Sequence, residues 1–66
     1  MKGSKAMEST FADILQTVVE NGRIETWTSG EIEAEIAFEC GERGMDDADT
    51  AAAVAWALAH TETRDA

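Results

Sequence analysis

Phe11, Ile14, Leu15, Val18 and Val19 recur at i, i+3, i+4, i+7 and i+8, the stripe of an amphipathic helix. Ser9 or Thr10 can cap its start, and Asn21-Gly22 supplies a left-handed stop. The pattern predicts a helix over about 9–20. A competing pattern exists, because Asn-Gly between short apolar runs is also a hairpin signal. In that alternative Thr17–Glu20 and Arg23–Trp27 pair as strands, a β-hairpin at 17–28 followed by two helices. Arg23 to Trp27 carries Ile, Thr and Trp, which bias residues 23–27 toward a short extended segment.

Thr28-Ser29-Gly30-Glu31 reads as a capping box. The stretch after it, EIEAEIAFEC, supports two periods. As a strand, Ile32, Ala34, Ile36, Phe38 and Cys40 share one face. As a helix, Glu31, Glu35, Glu39 and Glu42 form an acidic stripe opposite Ile32, Ile36, Ala37 and Cys40. Glu and Ala favour helix and are depleted in strands, so a helix over about 29–42 is expected. Gly41 to Gly44 ends it. Asp46, Asp47 and Asp49 suit the first turn of a third helix, about 46–62, running through AAAVAWALAH. That helix is apolar all round, which predicts burial on more than one side. The fold expected is mainly α: a compact three-helix domain over 9–62, with a flexible tail at 1–8 and a polar tail at 63–66.

Charge changes the picture. The 66 residues carry 14 Asp and Glu against 5 Lys and Arg, a formal net charge of -9. Lys2 and Lys5 lie near the N-terminus, so only Arg23, Arg43 and Arg64 accompany the acids of the remainder. Such a chain lacks the clustered cations that hold phosphates, and direct nucleic-acid binding is not expected. Read as a helix-turn-helix, the third helix would present Ala, Val, Trp and Leu rather than a recognition surface. The acidity has two general sources: salt adaptation, as in halophile proteins, or a partner with a basic surface. The longest apolar run, Ala51 to Ala59, is too short to cross a bilayer. With one unpaired cysteine and no apolar leader, the chain reads as cytoplasmic with no membrane association.

Candidate chemistry is sparse. His60 stands alone at a helix end, where imidazolium favours the carbonyl dipole. Cys40 has Glu39 and Glu42 nearby, which oppose a thiolate. The two lack paired zinc-ligand spacing, so neither a metal nor a cofactor is expected. No nucleophile elbow or phosphate loop appears, and the chain reads as no enzyme. The acidic stripe spans about 80° of a helix face. Glu31, Glu35, Glu39 and Glu42, with Trp27, are therefore the candidate partner-binding residues. Val54, Trp56 and Leu58 are the candidate oligomer interface of a homodimer or heteromeric complex.

One resemblance adds to this reading. Gly22, Arg23, Glu25, Trp27, Ile32 and Ile36, then Gly44-Met45-Asp46, resemble in order the ATP-cone, a nucleotide-sensing regulatory module, over about 18–59. The resemblance implies a β-hairpin across Val18–Trp27 and a ββαα fold. Where that family carries basic residues before the turn, this chain has Glu20 and Asn21. Function thus has three readings. The preferred one is a small acidic non-enzymatic regulator that binds a protein partner. It would mask a basic or nucleic-acid-binding surface, in the manner of phage or mobile-element inhibitors and nucleic-acid mimics. The others are a degenerate nucleotide-regulatory module and a halophile-adapted structural or transcription-associated protein.

Overall fold

The computed structural model describes residues 2–65, with side chains from Glu8 onward. Met1 and Ala66, the outer ends of the two expected tails, lie outside the described residues. Helix α1 runs Lys2–Glu20, α2 Ser29–Glu42 and α3 Asp47–Ala59, and no strand occurs among the described residues. The mainly α architecture is as the periodicity predicts, and the hairpin at 17–28 does not form. Residues 17–20 are helical because Val18 completes the apolar stripe of α1: Phe11, Ile14 and Val18 are all buried. The first helix starts at Lys2 rather than near Ser9.

Two glycines end two helices by the same device. Gly22 has φ +70°, its amide donates to the Val19 carbonyl at 3.0 Å, and the Arg23 amide donates to Val18 at 3.2 Å. Gly44 has φ +76°, with Gly44 to Gly41 at 3.1 Å and Met45 to Cys40 at 3.0 Å. Both are Schellman motifs, in which the left-handed residue lets the chain turn back onto the last carbonyls. At the other ends, the Thr28 hydroxyl accepts from the Glu31 amide and the Asp46 carboxylate from the Asp49 amide. These caps answer donors that the first helical turn leaves open.

Helix α3 stops at Ala59, three residues short of the expected end. The His60 amide donates to both Trp56 and Ala57, and its ring stacks on Trp56 with centroids 4.0 Å apart. Beyond His60 the chain turns back toward residues 27–29. The Arg64 amide donates to the Trp27 carbonyl at 2.7 Å, and Asp65 accepts from the Ser29 amide and hydroxyl. The residues read as a polar tail thus reach the start of α2.

The core is one seam. Ile32, Ile36 and Cys40 recur at i, i+4 and i+8 along α2 and are buried with Ile14 and Val18 of α1 and Ala53 and Ala57 of α3. The small alanines let α3 approach closely. Ile24 is buried between the helices as the only fully inward residue of the connecting loop. Phe38, by contrast, is 59% exposed. Ile36→Ala should therefore lower the unfolding free energy by about 3 kcal/mol, from lost transfer energy plus a cavity. Phe38→Ala should cost less than about 1 kcal/mol, as surface changes do. Urea titration of both variants checks this contrast.

Candidate functional site

The acidic stripe of α2 is where the sequence placed the partner. The structure brings Glu35 and Glu39 together under the Arg23 guanidinium. Arg23 Nε lies 3.0 Å from Glu35 Oε1, and its Nη1 lies 3.0 Å from Glu39 Oε1. The other Glu39 oxygen accepts from Arg43 Nε at 2.9 Å, and Arg43 Nη1 reaches Asp13 of α1 at 2.9 Å. The result is an alternating chain, Glu35–Arg23–Glu39–Arg43–Asp13, that ties the loop and α1 to α2. Arg23 also lies over the Phe38 ring, 5.4 Å from its centroid, an attraction to the ring's negative face. Arg43, and to a lesser degree Arg23, holds the Glu39 carboxyl below its ordinary pKa through hydrogen bonds. Glu35 and then Glu39 raise the pKa of Arg23 in return.

Glu31 has a different employment. Its carboxylate accepts from the backbone amides of Glu25 at 2.9 Å, Thr26 at 2.7 Å and Trp27 at 3.0 Å, and from the Thr26 hydroxyl at 2.9 Å. Successive amides converging on one point form an anion cradle, here filled by the protein's own side chain. Those bonds, that of Glu25 foremost, lower the Glu31 pKa. The capping box is thereby extended: Glu31 reaches past its cap residue to the three residues before it. The cradle bends the loop, and residues 23–27 are not an extended segment. Trp27 takes φ 59°, in the left-handed region, a conformation that costs an ordinary residue about 1–2 kcal/mol. Its ring packs partly buried against the core.

Of the four stripe residues only Glu42 is exposed with no ion pair to a described residue. Carboxylates outside the network lie elsewhere. A groove of about 510 Å³ between α2 and α3 is lined by Ala37, Ala51, Val54, Ala55 and Leu58, with Glu33 and Asp47 as its charged members. A second, of about 630 Å³ between α1 and α3, is lined by Phe11, Ala52, Ala55, Trp56, Ala59 and His60, with Glu8 and Asp49 as its acids. The residues expected at an oligomer interface are divided: Val54 and Leu58 line the first groove, Trp56 the second. All three are half-buried. Neither groove was anticipated, since each needs residues from two helices. The apolar circumference of the third helix was the signal for them.

Among the described residues no set of three or more His, Cys, Asp or Glu side chains gathers to hold a metal ion. Cys40 is fully buried, and burial pushes its thiol pKa up. The His60 ring is occupied at one nitrogen, Nδ1–H donating to the Trp56 carbonyl at 2.9 Å. No helix among the described residues is long and apolar enough to cross a membrane. No protein-family model matches the chain, and neither the curated proteins nor the solved structures contain a match.

The network and the cradle respond to different perturbations. Arg23→Met should destabilise by about 1–2 kcal/mol at low salt, because Glu35 would lose its ion-pair partner among the described residues while Glu39 would keep only Arg43. Thermal melts at low and high salt would show the loss shrinking as salt rises. Glu31 has a folded pKa below its unfolded one, so its contribution is present above the unfolded value and is lost as pH falls through the folded value. Glu31→Gln should lower stability at neutral pH and flatten the acid limb of the stability profile between those two values. An unchanged acid limb in denaturant titrations would contradict this.

Proposed function

We propose that the chain is a small acidic, non-enzymatic regulator that binds a protein partner carrying a basic surface. The observation that carries this reading is the sorting of the carboxylates. Glu31, Glu35, Glu39 and Asp13 are engaged by the protein's own amides and guanidinium groups. Glu8, Glu33, Asp47 and Asp49 are not paired with a described cation, and they border apolar surface on both sides of α3. Asp47 and Asp49 also complement the dipole of α3. That local role leaves their charge available at the surface. Acidic rims around an apolar centre steer a cationic partner and set its orientation, while the apolar centre supplies affinity.

The face offered to the partner is accordingly α3 with its flanks, in place of the full stripe of α2. Trp27 and three of the four stripe glutamates hold the loop and α2 in place, and only Glu42 adds to the open acidic surface. A partner's basic patch covered in this way would be withheld from phosphate or acidic ligands. The buried unpaired thiol of Cys40 suits a reducing cytoplasm.

Tagged protein purified from its native host at low salt should retain a partner with a basic surface. Combined Glu33→Gln, Asp47→Asn and Asp49→Asn substitutions should release it, whereas Glu42→Gln alone should have little effect. Circular dichroism would confirm that the variants remain helical. Recovery of no partner, or undiminished recovery with the triple variant, would remove the proposal.

A further inference from the structure

Resting on the reading of α3 as a docking face, we infer that the occupant of its two grooves is a basic amphipathic helix of the partner. Ala55 lines both grooves, so one helix laid over it can drop side chains to either side. Ala48, Ala52, Ala55 and Ala59 are all exposed and follow a 4-3-4 spacing along α3. That is the seam of heptad packing, where small residues allow a second helix to approach closely. The floors beside the seam hold larger anchoring surfaces: Val54 and Leu58 on one side, Phe11 and Trp56 on the other.

Charge decides which helix fits. Among the described residues, the ionisable groups lining the grooves are Glu33 and Asp47, then Glu8, Asp49 and His60, with no Lys or Arg. A second copy of this chain, also at -9, would set these carboxylates against their own kind. Like charges directly across an interface oppose association. A helix with an apolar stripe flanked by Lys and Arg instead answers both rims at once. Its apolar side chains at heptad spacing enter the grooves, and its flanking cations meet Glu33 and Asp47 on one side and Glu8 and Asp49 on the other.

The test uses the full chain and three synthetic helices of about five turns, roughly 18 residues each. The first carries Leu at heptad spacing with Lys at the flanks. The second keeps the Leu stripe with Glu flanks, and the third keeps the Lys flanks with Ala replacing Leu. Calorimetry should show binding by the first peptide alone. Ala52→Gln with Ala55→Gln, exposed positions where a good helix former leaves the fold intact, should weaken that binding by about tenfold or more, the loss of a central contact. Glu8→Gln with Asp49→Asn should weaken it and reduce its salt dependence. Equal binding by the Ala peptide, binding unaffected by the alanine substitutions, or no binding of the first peptide would each overturn the inference. Sedimentation showing a dimer that the same alanine substitutions dissolve would assign the face to a second copy instead. If the native-host partner is captured equally by the Ala52/Ala55 variant, the regulator reading stands and only the helical occupant fails.

Discussion

Glu39 sits between two guanidinium groups, and much of the arrangement around α2 follows from that. In isolation Glu35 and Glu39 are like charges one helical turn apart, which opposes the helix by about 0.2–0.5 kcal/mol per pair. Arg23, brought in from the loop, sits on both carboxylates. Arg43, at the end of the same helix, completes the second Glu39 oxygen and reaches across to α1. A repulsive row becomes an alternating one, and the helix is joined to the loop before it and to α1. Glu39 is only 14% exposed in its side chain, so its pairing is shielded from salt better than a surface contact.

The loop between α1 and α2 shows the same economy. It contains no regular structure, yet its amides are directed onto Glu31, and its carbonyl at Trp27 is met by Arg64 from the far end of the chain. Asp65 then caps Ser29, where α2 begins, and the bonds from Ser29 lower the carboxyl's pKa. The N-terminus of α2 is therefore served by three polar groups, Thr28, Glu31 and Asp65, drawn from two separate parts of the chain. A left-handed tryptophan is tolerated there because its amide and carbonyl are both bonded and its ring is packed.

Local signals read well. The Thr28 cap and the glycines at 22 and 44 mark helix ends through backbone requirements that act over a few residues, so α2 was legible to its boundaries, whereas Asp46, expected in the first turn of α3, is its N-cap. The buried positions Ile14, Val18, Ile32 and Ile36 follow from 3.6-residue periodicity for the same reason. What escaped is long-range. Arg23 stands 12 and 16 residues from its carboxylate partners, and nothing in its neighbourhood distinguishes it from a solvated arginine. The stripe of glutamates was legible as a row but not as a paired one. The end of α3 was overrun because Thr61 and Glu62 extend a helical pattern with no glycine to stop it. The chain departs there to reach Trp27 and Ser29, 36 residues away in the Ser29–Asp65 contact. The grooves were half-visible: the third helix was too apolar to be covered by two neighbours, but two of its four flanking acids, Glu33 and Glu8, come from other helices.

Cys40 lies at the centre of the seam, fully buried among Ile32, Ile36 and the alanines of α3, with its thiol pKa raised by burial. As the chain's single cysteine, it makes the molecule its own clock. A thiol reagent can meet the sulfur only after α2 parts from its neighbours, and a reactive thiolate forms readily only then. When closing outpaces alkylation, the labelling rate measures the fraction of time the core stands open. The stability of this protein can thus be followed in dilute solution or in a crowded lysate, with a partner present or absent, from one unmodified atom that nature has already placed inside.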